Sequence, residues 1–524
     1  MRNFDVLVIG AGAIGNAIAR EISKKQNTSV AVLEKEPDAA FGISGRNSGV
    51  LHAGFNSKPG SLMAQLCVQG AEGFALEAEK MKVSFMRTGK LVIARFEEDR
   101  SQLLRLKEQG EANGVRELRI LEKDELEQLA GYPAGAVALW SGMTGIFDPF
   151  AYTIALAETA ADQGSEFFFG RKVTAIAKDQ GFTITAQNLQ DGRMEFYSCR
   201  ILINCAGLYA DEICKMAGIH AYTIYPCRGE YHILDRKDSG LPALPIYPIP
   251  NEKEGGLGVH LTPTVDGNLM IGPSAEYLPE AWEREDYSTT GDVMGKLKRE
   301  GAGLLPPLEK ADCIRSFAGV RPKLSPEKQG GYADFVIEES KMVPGMINLI
   351  GIESPGLTAS IPIGRLVAQM TEEIRSRSGS VSEAAPESAS ETTVRLDSNK
   401  QSHFNERLDI FNKQDHSGRT GSNFMEHDKA DRKEELEGDQ KMLCRCEGIT
   451  EAAVLAAYDR IMKIGAIPTV KGLKNRTRVT MGNCQGSFCT LNIIEALKDR
   501  RGADPLTLLW SGFGSTMLAG CMRK

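Results

Sequence analysis

Phe4 to Ile9 is a run of mainly apolar residues closed by Gly10, and Ser29 to Leu33 is a second one closed by Glu34. Apolar runs of this length, without polar alternation, suit strands buried on both faces of a parallel sheet. Between them, Gly10-Ala-Gly-Ala-Ile-Gly15 forms a turn that opens a helix through about Lys24. Arg200 to Gly207 leads in the same way into a helix from about Tyr209. Ile347 to Ile352 passes through Ser354-Pro-Gly-Leu-Thr358 into a helix ending near Glu373. The pattern predicts one parallel sheet assembled from distant segments, about 1–80, 150–215 and 320–375. The intervening stretches, about 80–150 and 216–320, carry alternating strand patterns and several turn signals. They predict a mixed-sheet substrate domain inserted twice, so the fold class over residues 1–375 is α/β.

From 376 to 440 the pattern lapses. The segment is polar, charged and short of branched apolar residues, which is the composition of a disordered linker. Compact patterning returns at 441. Thr450 and Glu451 open a helix whose apolar positions Val454, Leu455, Tyr458, Ile461 and Met462 share one face. Gly472 marks a turn, and a further helix begins near Cys489 and carries Ile493, Ile494 and Leu497. Residues 503–524 read as a C-terminal tail.

At 524 residues the chain has room for two to four domains. A net charge of -7 gives no general case for nucleic-acid binding. No run of 18 apolar residues predicts a transmembrane helix, which leaves only peripheral membrane contact. The N-terminus runs straight into a strand without a signal peptide, which predicts a cytoplasmic chain. Its 11 cysteines are therefore not expected in disulfides. Cys67, Cys199, Cys205, Cys214, Cys227 and Cys313 stand singly in mostly apolar settings and read as packing residues. Cys521 has no assigned role.

Gly10, Gly12 and Gly15 form G-x-G-x-x-G between a strand and a helix, and Glu34 closes the next strand. The glycines permit a tight turn and close backbone approach to a pyrophosphate. The helix N-terminus offers amide donors to that anion. Glu34 would accept hydrogen bonds from ribose hydroxyls. The combination predicts a bound dinucleotide.

Near the C-terminus, Cys444-Arg-Cys446 and Cys484-Gln-Gly-Ser-Phe-Cys489 supply two thiolate pairs, a four-sulfur set for a metal or a cluster. Cys489 opens a helix, where the dipole lowers a thiol's pKa. Arg445, Lys471, Lys474, Arg476 and Arg478 would offset the charge of a cluster. From Met442 onward 12 Lys and Arg stand against 6 Asp and Glu. Structural zinc is the alternative occupant, although zinc usually takes wider C-x2-4-C knuckles.

Ser44-Gly-Arg-Asn-Ser-Gly-Val-Leu-His52-Ala-Gly54 resembles the flavin loop of the D-amino-acid-oxidase-like FAD superfamily, and the resemblance extends through Ile203–Gly207, Gly319–Pro322 and Ser354–Thr358. It implies a Rossmann-like FAD-binding domain and FAD contacts from Ser44, Asn47, Ser48, Gly49, Val173, Ala206, Gly207, Gly356, Leu357 and Thr358. Two branches are closest. The flavin loop, Arg228–Leu234 and Leu257–Thr262 resemble L-2-hydroxyglutarate dehydrogenases. Thr262–Glu276 and the cysteine segment resemble the large subunits of anaerobic glycerol-3-phosphate dehydrogenases. Residues 441–502 resemble the small α-rich bacterioferritin-associated-ferredoxin-like [2Fe-2S] module.

The resemblance implies a dehydrogenase oxidising a small anionic secondary alcohol. It would pass electrons through a [2Fe-2S] cluster to an acceptor subunit, a flavoprotein or a quinone-linked protein with peripheral membrane association. Such chemistry needs a cation for the substrate's anionic end and a base for its hydroxyl proton. Arg321 is the first candidate clamp and Arg228 the second, because guanidinium pairs bidentately with carboxylate or phosphate. His52 and His260 are the candidate bases, and the two are not separable from sequence. Glycerol 3-phosphate, oxidised to dihydroxyacetone phosphate, is the leading substrate and L-2-hydroxyglutarate or another 2-hydroxy acid the alternative; glycerol-3-phosphate enzymes usually carry His-Gly-Gly where this chain has His52-Ala-Gly54, which raises the second reading. An oxidase and an electron-transfer subunit without its own turnover are the other readings. The linker and basic cysteine segment together predict a mobile carrier shuttling between flavin and acceptor.

Overall fold

The computed structural model describes residues 1–25, 27–131, 133–235, 242–250, 258–279, 283–380 and 441–518. Strand β1 (Arg2–Ile9) pairs in parallel with β2 (Val30–Glu34) on one side and with Met194–Asn204 on the other. Met346–Ile350 continues the parallel pairing on the far edge of Met194–Asn204, and Glu166–Phe169 pairs with β2. The expected parallel sheet is thus present, extended by the antiparallel strands Arg171–Lys178, Phe182–Asn188 and Val336–Glu339. Alternate residues of β1 explain its apolar run. Val6 and Val8 enter a core with Ile18, Ile154, Ile347 and Ile363, while Leu7 and Ile9 enter a second core with Phe182, Tyr197 and Ile213. A strand with a core on each face has no polar side.

Helix α1 (Ala13–Ser23), α2 (Pro149–Asp162) and α3 (Gly356–Ser380) carry residues of the first core. Helix α2 starts on Asp148, whose carboxylate accepts the Phe150 and Ala151 N–H groups, with Pro149 in the first turn.

The two inserted stretches build one nine-stranded mixed sheet. Its parts that matter to function are Lys90–Ala94, β3 (Tyr225–Leu234), Ile246–Pro248, β4 (His260–Pro263) and β5 (Cys313–Lys323). β3 and β5 pair antiparallel along their whole length, with Cys227 opposite Arg321 and Arg228 opposite Val320. Arg321 therefore sits on a strand of the inserted sheet, not in the nucleotide-binding part.

The cysteine segment begins with a hairpin, Met442–Cys444 and Ile449–Thr450, followed by α4 (Glu451–Lys463), α5 (Val470–Thr477) and α6 (Cys489–Arg501). Thr450 caps α4 by accepting the Ala453 N–H. Two expectations are corrected. Met462 is exposed rather than packed, because the buried face of α4 runs through Val454, Leu455, Ala457 and Ile461. Gly472 is not a turn but lies inside α5, which Thr469 caps by accepting the Gly472 N–H at 2.8 Å. In the described part of the tail Leu508 and Leu509 are buried, and the Leu509 carbonyl accepts the Val470 N–H at 2.9 Å.

The cysteine segment is not a free carrier. Residues Met1–Ile374 and Met442–Lys524 form one compact unit. Val454, Ile461, Leu473 and Ile493 share a contiguous core with Val6, Val8, Ile154 and Ile363. Apart from the end of α3, the predicted linker 376–440 lies outside the described residues, as does Cys521. Among the described residues no helix is long and apolar enough to cross a membrane.

Candidate functional site

A cavity of about 1690 Å³ runs from the end of β1 across the inserted sheet. Of the sequence-predicted residues, Gly10, Gly12, Glu34, Ser44, Asn47, Ser48, His52, Val173, Ala206, Gly207, His260, Arg321, Gly356, Leu357 and Thr358 line it. Gly15, Gly49 and Arg228 do not.

At one end the β1–α1 turn forms a cradle. Gly10 has φ +108°, and a Cβ there would lie 2.5 Å from the Cys205 carbonyl oxygen. A Cβ at Gly12 would come 3.2 Å from Ser44 Oγ. Gly15 acts indirectly, since any Cβ would collide with the Gly10 carbonyl as α1 packs back on the turn. Gly49, at φ +63°, shapes the flavin-type loop from outside the cavity. Glu34 accepts the Ala11 N–H at 2.7 Å and the Glu36 N–H at 2.9 Å, and burial raises its pKa. Ser44 Oγ accepts the Ala13 N–H at 2.9 Å in the first turn of α1. Asn47 holds its loop by donating to the Ser44 carbonyl at 2.8 Å and accepting the Gly49 N–H at 2.9 Å. A glycine-walled turn, the N-terminus of α1 and the Glu34 carboxylate in one cavity fit a dinucleotide.

At the other end the two histidines and Arg321 meet. His260 is 4% exposed. Its Nδ1 lies 3.0 Å from the Gly258 carbonyl oxygen, which can only accept, so Nδ1 carries the proton. Nε2 is buried and has no hydrogen-bond partner. Burial lowers the His260 pKa to about 3, with Lys90 and Arg321 adding to the effect. His52 is lowered well below the ordinary histidine value by burial, then by Lys90 and His260. Its backbone N–H donates to Thr358 Oγ1 at 3.0 Å, and its Nε2 is 3.2 Å from Ser354 Oγ. Arg321 donates to the Ser274 carbonyl at 2.7 Å.

Arg228 is corrected. It lies outside the cavity, 2% exposed, with Nη1 2.6 Å from Asp286 and Nη2 2.6 Å from Glu276. A guanidinium committed to two carboxylates is a structural ion-pair group. Cys313 is corrected too. It is exposed, and its Sγ lies 2.7 Å from His232 Nδ1.

Three residues escape a sequence reading. Lys90 is 1% exposed, its Nζ 4.1 Å from the Tyr247 ring centroid and 4.4 Å from that of Phe55. Burial lowers its pKa to about 7. Tyr247 and Tyr231 line the cavity, the former stacked on His260. Tyr231 lies in the family-like stretch Arg228–Leu234, which was the available signal. Nothing local in sequence marks Lys90.

The four C-terminal cysteines lie near enough to influence one another, Cys484 with Cys446 and Cys489 with Cys444 and Cys484. Backbone amides of Phe488 and Gly486 lower Cys484 to about 7. Cys489 departs from expectation. Burial and the neighbouring Cys444 push it up to about 11, outweighing its place at the start of α6. Among the described residues no group of three or more His, Cys, Asp or Glu side chains is arranged to hold a metal ion.

A family model described as FAD dependent oxidoreductase matches residues 5–370. Glycerol 3-phosphate dehydrogenase of Caloramator mitchellensis is 34% identical over 523 residues, 99% of this chain and 98% of the relative. L-2-hydroxyglutarate dehydrogenase of Indibacter alkaliphilus is 32% identical over 70% of this chain and 98% of the relative. Among solved structures, the dithionite-reduced L-α-glycerophosphate oxidase of Mycoplasma pneumoniae with FAD bound superposes with TM-score 0.63 at 27% identity, over 71% of this chain and 95% of that one. Glycine oxidase of Geobacillus kaustophilus shares the fold, with TM-score 0.62 at 21% identity. The glycine cradle, the flavin-type loop and the matched family together establish that this chain belongs to the FAD-dependent oxidoreductases.

Proposed function

We propose that the protein is a dehydrogenase that oxidises glycerol 3-phosphate to dihydroxyacetone phosphate and passes the electrons to a partner acceptor. The observation that carries this reading is the match to a glycerol 3-phosphate dehydrogenase over 99% of the chain, which takes in the cysteine segment as well as the flavin part. The chemistry of the cavity supports it. Arg321 is the clamp for the anionic end of the substrate, since a planar guanidinium presents two parallel donors to phosphate. His260 is the base. Its Nδ1–H is committed to Gly258, so Nε2 offers its lone pair to the carbinol O–H and takes that proton as the carbonyl forms. His52 is a positioning residue, held by Thr358 and Ser354 beside the reacting groups. FAD, when bound between the glycine cradle and the Leu357–Thr358 wall, supplies the hydride acceptor.

Cys444, Cys446, Cys484 and Cys489 are the residues that would hold a [2Fe-2S] cluster. Four thiols near one another would suit two irons, each with two sulfur ligands. Such a cluster supplies one-electron transfer toward the acceptor.

A second reading is a 2-hydroxy-acid dehydrogenase. His52-Ala-Gly54 and 32% identity to an L-2-hydroxyglutarate dehydrogenase favour it. Anaerobic mixing with glycerol 3-phosphate or L-2-hydroxyglutarate separates the two. Bleaching of the flavin absorbance by the phosphate alone supports the first reading. Bleaching only by the hydroxy acid overturns it.

A further inference from the structure

The segment Lys35–Ser44 follows β2 and walls the cavity through Asp38, Phe41 and Ser44. Its other side is held by the cysteine segment. The Ile467 N–H donates to the Pro37 carbonyl at 2.8 Å. Arg476 pairs with Asp38, Nη2 to Oδ1 being 3.1 Å, and its Nε reaches Glu158 on α2 at 3.2 Å. The pair is buried, with side chains 1% and 0% exposed. Lys471 Nζ lies 4.2 Å from the Phe41 ring centroid and 3.4 Å from the Phe41 carbonyl oxygen. Gly472 makes room for the contact, since a Cβ there would stand 2.9 Å from Asp38 Oδ2. Beyond α5, Phe513 itself reaches the cavity wall.

We propose that the cysteine segment is an integral wall of the dinucleotide site, fixing the 35–44 loop so that FAD binding and seating of this segment stabilise one another. The physical link is the buried Asp38 carboxylate. Among the described residues its ion-pair partner is Arg476 of α5, and a buried carboxylate stripped of its partner is strongly destabilising. If the segment lifts, Asp38 must move to water and take Phe41 with it. The same loop carries Ser44, which caps the α1 turn where the pyrophosphate would lie. Coupling of this kind is reciprocal, so FAD must hold the cysteine segment down by the same factor that the segment tightens FAD. This is independent of the substrate reading, because neither readout below involves turnover.

The test uses the full-length chain stripped of flavin and titrated with FAD by quenching of flavin fluorescence. Arg476→Gln is expected to weaken FAD binding by roughly tenfold or more. Arg501→Gln, which breaks an ion pair to Asp459 within the cysteine segment, is expected to change it by less than about twofold. Unchanged FAD affinity in Arg476→Gln overturns the proposal. Should that variant fail to fold, hydrogen exchange of the Ile467 amide in the unmodified protein decides. FAD is expected to slow it, and equal exchange with and without FAD overturns the coupling.

Discussion

The imidazole of His260 lies flat on the ring of Tyr247, with centroids 3.8 Å apart and planes within 10°. The stack and the Nδ1 bond to Gly258 leave Nε2 as the one ring nitrogen without a partner. His260→Phe preserves the stack and removes the base. It is expected to lower kcat by about 10² to 10⁴-fold with FAD still bound. Full kcat in this variant would move the base to His52.

The pH dependence follows from the same burial. His260 titrates near 3 in the folded chain, far below the ordinary histidine value. Activity should therefore hold through pH 5–6 without the acid limb near 6.5 of an ordinary histidine base. Stability moves the opposite way. The unfolded chain binds a proton that folded His260 refuses, so stability falls as pH drops from about 6.5 toward 3. Thermal melts should show a shallower fall over that window in His260→Phe than in the parent.

Lys90 sits between Phe55 and Tyr247, and its pKa is lowered to about 7 by burial. In the unfolded chain it holds its proton to about pH 10.4. Folding therefore expels that proton between these values, and the parent loses stability as pH falls from 10 to 7. Lys90→Met removes the loss. Its melting temperature should gain more over the parent at pH 7 than at pH 10, and an equal gain at both would refute a buried, titrating Lys90.

Arg321→Lys is expected to lower kcat/KM for the anionic substrate by roughly 10²-fold, since lysine cannot reproduce a two-donor clamp. The matching change at Arg228 should act on stability instead, because Arg228 serves Asp286 and Glu276. Steady-state kinetics beside thermal melts of both variants distinguish the roles.

Anaerobically purified protein is expected to carry about two irons and two sulfides per chain. Cys484→Ser should lose most of both. One zinc per chain without sulfide would replace the cluster by a structural metal.

The amino-acid sequence alone determined the features whose causes are local. An apolar strand, a turn that only glycine can make and a helix start are neighbours in the chain, so Gly10, Gly12 and Glu34 were legible, as was the spacing of Cys444, Cys446, Cys484 and Cys489. Tertiary structure decided what depends on register and docking. Arg228 and Arg321 look alike in sequence. Because Arg321 pairs with Cys227, Arg228 is one residue out of step and points to the opposite face of the sheet, away from the cavity. Lys90 carries no local signal, since its burial comes from Phe55 and Tyr247 on distant segments. The seating of the cysteine segment was equally hidden. It rests on Arg476 meeting Asp38, 438 positions away, and no composition of either segment encodes that meeting.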